Sequence, residues 1–159
     1  MGGGVLPVAI YKGKLYFLFS REWINAKDDG GKWSDFGGSK EGNETYKDTA
    51  IREGHEESGG FLGSKKNIKK LVNNSSIAEI TANGYRTYIV LVDYDPNLPK
   101  KFRDNFNSVL KSKPWLIEEH NGLYEKDMLR WYSYEDISKK YKLFRTWYKS
   151  IVKEILKIM

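Results

Sequence analysis

Three glutamates, Glu53, Glu56 and Glu57, have the residue type and spacing that chemistry would need. At about 3.6 residues per turn, they lie within a narrow arc of one helix face. Carboxylates placed so closely repel one another, and the last turn of a helix disfavours negative charge. A divalent cation would remove both penalties, because magnesium prefers oxygen ligands and binds carboxylates together with substrate phosphates. Taken alone, however, such a cluster is also typical of a solvated acidic helix face.

The residues around the glutamates decide between these two interpretations. Gly38, Glu44, Arg52 and Gly59 complete a spaced pattern with the cluster. The pattern is glycine, five residues, glutamate, seven residues, Arg-Glu, two residues, Glu-Glu, one residue and glycine. At typical residue frequencies of about 7%, chance agreement at any one start is on the order of one in 10⁸. The pattern therefore indicates a functional site.

This pattern is the Nudix box, and the chain resembles the Nudix hydrolase family over residues 38–60. The resemblance implies hydrolysis of a phosphoanhydride bond in a nucleoside diphosphate linked to another moiety. It also implies Mg²⁺ or Mn²⁺ as the cofactor. Carried onto this sequence, it makes Glu53, Glu56 and Glu57 the metal ligands.

The same resemblance gives supporting roles to other residues. Arg52 would orient the carboxylates through its planar guanidinium group, and Glu44 would support that network. Gly38 would let its loop approach the metal and offer a carbonyl oxygen. Many relatives use a further acid outside the box, and Glu119 or Glu125 is expected to supply it here.

Two positions depart from the family pattern. Gly54 and Gly60 stand where bulky aliphatic residues are usual. Glycine inside a helix costs about 0.5–1 kcal/mol relative to alanine. It also gives up the contact that would anchor the helix to the sheet, so we expect a neighbouring aromatic ring to fill the gap. The departures concern packing and leave the metal ligands in place.

Substrate contacts are expected outside the box. Arg21 and Lys40 are candidates for binding phosphates, with solvation at the surface as the alternative. Aromatic rings are candidates for stacking on a base, although such rings pack more often in a core. These candidates are Trp23, Trp33, Phe36 and Tyr85.

The preferred substrate is a nucleoside polyphosphate or a related diphosphate compound. The formal net charge of +6 keeps capped RNA as an alternative, because RNA binding needs phosphate neutralisation and stacking. A diphosphoinositol polyphosphate would also suit a lysine-rich pocket. A nucleotide-binding module without catalysis is less favoured, because the metal-ligand pattern is intact.

Composition bounds the class of protein. The 159 residues are 40% hydrophobic, which predicts one domain over residues 1–159 with a core of its own. The absence of cysteine excludes disulfides and thiolate zinc sites, and two histidines exclude a multi-histidine metal site. No apolar run approaches the roughly 20 residues of a membrane helix, and the N-terminus does not read as a signal peptide. We therefore expect a cytoplasmic protein without a membrane contact.

The elements that position the glutamates follow from hydrophobic patterns and turn residues. Strands are expected over residues 5–11, 14–20, 33–36, 77–81, 85–94 and 128–132, with hairpin turns at 12–13 and 83–84. Helices are expected over 45–58, 67–72, 101–110, from the capping box at 133–136, and from 142 onward. The last helix carries an apolar stripe that we assign to core packing. The order predicts an α/β (α+β) fold with a mixed β-sheet sandwiched between helices.

Overall fold

The computed structural model describes residues 1–118 and 123–158, which contain a seven-stranded mixed sheet and six α-helices. The strands are β1 (Gly2–Tyr11), β2 (Lys14–Glu22), β3 (Trp33–Ser34), β4 (Phe36–Ser39), β5 (Ser76–Ala82), β6 (Tyr85–Leu91) and β7 (Lys126–Ser133). The helices are α1 (Tyr46–Ser58), α2 (Lys65–Asn74), α3 (Leu98–Ser112), α4 (Trp115–Glu118), α5 (Tyr134–Lys139) and α6 (Lys149–Ile158).

Strand β1 lies at the centre of the sheet. It runs parallel to β6 along residues 2–8 and antiparallel to β4 along residues 2–5. Its second half pairs antiparallel with β2, which also pairs with β3 and β7. Through this arrangement β4, in which the Nudix box begins at Gly38, lies directly beside the central strand.

Helices cover both faces of the sheet, because neighbouring residues of β1 belong to different hydrophobic clusters. Val5 packs with Ala50 and Ile51 of α1 and with two residues of α2. Leu6 packs in the cluster that contains the buried residues of α6. Successive side chains of a strand point to opposite faces, so the two clusters are separate layers. The predicted mixed sheet between helices is confirmed.

Both predicted hairpin turns are present. Lys12 and Gly13 have φ angles of 49° and 77°, and Asn83 and Gly84 have φ angles of 51° and 75°. Two successive residues with positive φ match the right-handed twist of the strands they join. Most other elements extend one to three residues beyond their predicted ends, and α4 was not predicted.

The C-terminal segment differs from its prediction. The helix expected from residue 142 onward begins only at Lys149, after two 3₁₀ turns over residues 141–143 and 146–148. Phe144 and Arg145 between these turns are extended, with ψ angles of 152° and 140°. The cause is tertiary: the Arg145 N–H donates to the Trp33 carbonyl oxygen at 2.9 Å, which ties the segment to β3.

This correction also changes one residue of the predicted apolar stripe. Phe144, Tyr148, Ile151, Val152 and Ile155 are buried, as core packing requires. Trp147, in contrast, keeps 37% of its surface exposed and lies at the edge of a cleft. Within the described ranges, no helix combines the length and apolar character needed to cross a membrane.

Candidate active site

Helix α1 carries the three glutamates, and its sequence sets both of its ends. The Thr45 hydroxyl accepts from the Asp48 N–H at 3.1 Å, and the Asp48 carboxylate accepts from the Thr45 N–H at 3.0 Å. This reciprocal capping box begins the helix. Gly59 ends it with a left-handed φ of 59°. The glutamates therefore occupy the last two turns.

Gly54 brings α1 close to the sheet. A Cβ atom added there would lie 3.1 Å from Cγ2 of Val5 and 3.6 Å from Cγ2 of Ile68. The expected gap is thus filled by aliphatic side chains of β1 and α2, and the expectation of an aromatic filler was wrong. Gly60 lies outside the helix with a φ of 82°, a conformation that favours glycine.

Arg52 gathers carboxylates on the exposed side of α1. Its Nε and Nη2 donate to the two carboxylate oxygens of Glu44 at 2.8 and 3.0 Å. Its Nη1 donates to Glu53 at 2.8 Å and to Glu56 at 3.3 Å. Hydrogen bonds from Arg52 lower the pKa of Glu44 to about 2. One guanidinium group thus orients three of the acids in the Nudix box.

Glu53 lies against the β4 loop. A Cβ atom added to Gly38 would stand 2.7 Å from the Glu53 carboxyl carbon, so a side chain there would displace the carboxylate. Burial raises the pKa of Glu53 above its ordinary value, and the Arg52 hydrogen bond opposes that rise. The close approach requires glycine at position 38.

Glu57 is almost completely enclosed. The Gly37 N–H donates to its Oε1 at 2.7 Å. Burial raises the pKa of Glu57 well above its ordinary value, and the ammonium group of Lys126 acts in the opposite direction. Burial disfavours the ionised form of this carboxylate, and a nearby positive charge favours it. A bound cation would supply such a charge.

A cleft of about 580 Å³ opens beside these residues. Its acidic lining residues are Glu22, Asp28, Glu53, Glu57 and Glu125. Its cationic lining residues, among those that the structure describes, are Lys27 and Arg145. The cleft is therefore acidic although the whole chain carries a formal net charge of +6.

The donor chemistry of the cleft fits a hard cation, because every candidate ligand offers oxygen. Glu53 and Glu57 are buried carboxylates whose pKa values are raised by desolvation. Over residues 1–118 and 123–158, no three acidic or histidine side chains are already grouped closely enough to hold a metal ion. Arg52 instead donates to one carboxylate oxygen of Glu53 and one of Glu56. The residues fit Mg²⁺ or Mn²⁺ by chemistry and electrostatics.

Of the two candidates for the acid outside the Nudix box, the structure describes only Glu125. Glu125 lines the cleft with Glu53 and Glu57, and its charge contributes to raising the pKa of both. Glu119 lies outside the described residues. The role of Glu125 stays a prediction, now supported by its position.

The two candidates for phosphate binding, Arg21 and Lys40, lie outside the described lining of the cleft. Arg21 points to Asp127 and donates to both of its carboxylate oxygens, at 2.7 and 2.9 Å. Lys40 is exposed, and neither Arg21 nor Lys40 is among the described lining residues of the cleft. Both side chains are thus set apart from the acids of the cleft. The bidentate ion pair occupies Nε and Nη2 of Arg21 and holds its guanidinium group against Asp127, outside the described lining of the cleft.

The aromatic candidates divide into two groups. Trp33 and Phe36 are 4% and 0% exposed, so their rings pack in the core and have no free face for a base. Tyr85 lines the cleft, but its hydroxyl donates to Asp35 at 2.7 Å in the interior. Trp23 lines the cleft as expected for a stacking residue.

Three lining or neighbouring residues escaped the sequence analysis. Trp147 lines the cleft, with its ring centroid 4.8 Å from that of Tyr85. Arg145 lies beside it, and Lys126 is buried behind Glu57. For Lys126, the sequence offered one signal, a lysine directly after Glu125 at the start of an apolar strand. Arg145 and Trp147 gave none, because they look like members of a continuous helix.

The fold of the chain is similar to that of known proteins, although its sequence is not. No protein-family model matches the sequence, and no curated protein matches it. Among solved structures, a C. elegans Ap4A hydrolase binary complex is similar with a TM-score of 0.57 and 13% identity, covering 98% of this chain and 95% of that one. A Nudix hydrolase from M. smegmatis, RenU, is similar with a TM-score of 0.52 and 14% identity, covering 99% and 84%. The chain has the Nudix fold, and the resemblance inferred from the motif is confirmed at that level.

Proposed function

We propose that this chain is a Mg²⁺- or Mn²⁺-dependent Nudix hydrolase that cleaves a phosphoanhydride bond. The observation that carries the proposal is the placement of Glu53, Glu57 and Glu125 in one cleft, with Gly38 against Glu53. The Nudix fold of the chain supports it. We propose one domain over residues 1–159 that acts in the cytoplasm.

The proposed mechanism assigns separate tasks to the side chains. A bound cation supplies charge neutralisation for the phosphates and lowers the pKa of a water molecule. Glu53, Glu56 and Glu57 would hold that cation, and Gly38 would contribute its carbonyl oxygen. Glu125 accepts the proton of the attacking water, since its carboxylate lines the same cleft. Arg52 keeps Glu53 and Glu56 in orientation.

The lining of the cleft favours a nucleoside substrate. Trp23 and Trp147 offer indole rings to a base, whereas Lys27 and Arg145 are its described cations. Arg145 is already paired with Glu22 and Asp29. A diphosphoinositol polyphosphate carries many phosphates and needs more positive charge than this lining offers. A nucleoside polyphosphate, or a nucleoside diphosphate linked to another group, is the better substrate class.

Capped RNA is the second candidate, and one observation favours it. Helix α2, which packs on α1, exposes Lys65, Lys66, Lys69 and Lys70. These four side chains would neutralise phosphates of an RNA strand. Cap release should then weaken steeply with added salt. Cap release that is insensitive to salt would count against RNA contacts and favour a small-molecule substrate.

The test is a substrate panel with Mg²⁺ or Mn²⁺. Nucleoside triphosphates, dinucleoside polyphosphates, ADP-ribose, a diphosphoinositol polyphosphate and capped RNA are compared by product release. We expect metal-dependent turnover of a nucleotide and a loss of at least about 100-fold in Glu53→Gln and Glu57→Gln. Glu79→Gln, an exposed change on β5, should keep the activity. Tight nucleotide binding without turnover would indicate a binding module instead.

A further inference from the structure

Lys126, the first residue of β7, has a fully buried side chain. Burying an ammonium group is costly unless charged or polar partners surround it. Its Nζ lies 2.8 Å from Oε1 of Glu22 and 3.0 Å from Oγ of Ser34. The same atom lies 3.9 Å from Oε1 of Glu57. The only ammonium group behind the acidic cleft, within the described ranges, is therefore in contact with one of its proposed metal ligands.

Both carboxylates beside Lys126 reach the cleft. Glu22 and Glu57 are lining residues, while the lysine itself is not. Burial alone would favour the neutral amine, but the ion pair with Glu22 at 2.8 Å and the hydrogen bond to Ser34 at 3.0 Å favour the charged form. The side chain is thus an ammonium ion between two carboxylates. Its charge acts on the cleft from behind.

The two oxygens of Glu57 are used differently. Oε1 accepts the Gly37 N–H at 2.7 Å and faces Lys126. Oε2 has no hydrogen-bond partner among the residues that the structure describes, although Glu57 lines the cleft. Glu57 consequently offers a single oxygen to a ligand in the cleft.

The ammonium group is also fixed in place. Oε1 of Glu22 accepts from both Lys126 and Nη1 of Arg145, the latter at 2.9 Å. Nε of Arg145 donates to Asp29 at 3.0 Å. This chain of ion pairs connects β7, β2 and the loop after β2. Lys126 cannot leave Glu57 without breaking it.

We propose that Lys126 is a positioning residue whose charge faces Oε1 of Glu57, the oxygen that the Gly37 N–H already occupies, and weakens the binding of the cation. A fixed positive charge beside a metal ligand repels a divalent cation and, at the same time, stabilises the cleft when no metal is bound. The site therefore binds the metal more weakly and is more stable when no metal is bound. The inference rests on the proposed function in one respect, that Glu57 binds the metal.

The test is Mn²⁺ binding by Lys126→Met, measured by titration calorimetry without substrate. Methionine keeps the length of the side chain and removes the charge. We expect Mn²⁺ affinity to rise by about tenfold, roughly 1.4 kcal/mol, because the substitution removes the repulsion between the Lys126 charge and the cation. The melting temperature without metal should fall, and added Mn²⁺ should raise it more than in the wild type. Lys153→Met, an exposed change on α6 outside the described lining of the cleft, is the matched control and should alter neither value strongly.

A second variant keeps the test informative if the single change prevents folding. Glu22→Gln combined with Lys126→Met removes both members of the closest ion pair, so the variant buries no additional net charge. It should still bind Mn²⁺ more tightly than the wild type, by a smaller factor. Unchanged or weaker affinity in the variants would overturn the inference while the proposed function stands. A wild type that binds no Mn²⁺ would overturn the proposed function, and the inference with it.

Discussion

The guanidinium group of Arg52 binds both carboxylate oxygens of Glu44, at 2.8 and 3.0 Å. Glu44 lies before the first turn of α1 and Arg52 at its midpoint, so this pair joins the preceding loop to the half of the helix that carries the three glutamates. The same guanidinium contacts Glu53 and Glu56. Its planar fork is what makes these simultaneous contacts possible.

Arg52→Lys should therefore impair activity although the charge is kept. A lysine cannot bind both oxygens of Glu44 and also reach Glu53 and Glu56. We expect kcat to fall by at least about tenfold and the free energy of unfolding to drop by about 1–3 kcal/mol. Steady-state kinetics and urea denaturation measure the two effects. Arg86→Lys on β6 is the control, and wild-type kinetics in Arg52→Lys would contradict the assigned role.

A second prediction concerns the buried carboxylate of Asp35. Burial raises its pKa from 3.8 to about 6, although hydrogen bonds from Thr87 and Tyr85 oppose the rise. The folded state thus holds the proton more tightly than the unfolded state. This contribution to stability is complete below pH about 4 and is lost as pH rises toward about 6. The difference between a pKa of 3.8 and one of about 6 corresponds to roughly 3 kcal/mol in the free energy of unfolding.

Asp35→Asn should remove that part of the pH dependence. The free energy of unfolding, measured by urea denaturation from pH 4 to pH 8, should decline less steeply between pH 4 and 6.5 than in the wild type. Asp28→Asn, an exposed change, should leave the profile of the wild type in place. Parallel profiles for Asp35→Asn and the wild type would refute the assignment.

Gly54→Ala should destabilise the protein, although alanine favours a helix. The added Cβ would lie 3.1 Å from Cγ2 of Val5, so α1 must move away from β1. The gain of about 1 kcal/mol in helix propensity should be exceeded by an overpacking cost of about 1–3 kcal/mol. Thermal denaturation measures the balance. Further substitution of Val5→Ala should recover part of the loss due to Gly54→Ala, and a rise in melting temperature for Gly54→Ala alone would show that the contact is relaxed.

Trp147→Leu should affect the binding of a nucleotide more than its cleavage. The indole is 37% exposed, lines the cleft and rests on Tyr85. Loss of stacking is worth about 1–3 kcal/mol, so KM for a nucleotide should rise by about 5- to 100-fold with a smaller change in kcat. Trp115→Leu, at a 52% exposed indole outside the cleft lining, is the control. Equal KM values for the two variants would remove Trp147 from the substrate site.

The sequence predicted most of the fold because its signals are local. Alternation of apolar residues indicated the strands, and the turn residues at 12–13 and 83–84 joined them. The error at the C-terminus has a physical reason. Phe144 lies on the apolar stripe of the predicted helix and Arg145 lies off it, as a helix would require. The extended backbone of both residues is instead fixed by contacts with Trp33, which is more than 100 residues away in the chain.

By itself, the sequence determined the row of Glu53, Glu56 and Glu57 and the capped helix that carries it, because helical periodicity and capping depend on residues only a few positions apart. The tertiary structure alone decided which side chains meet that row. It placed Lys126 behind Glu57 and Trp147 at the cleft, and it buried Phe36. These relationships join residues that are far apart in the chain, so they follow from the packing of strands and helices and not from spacing.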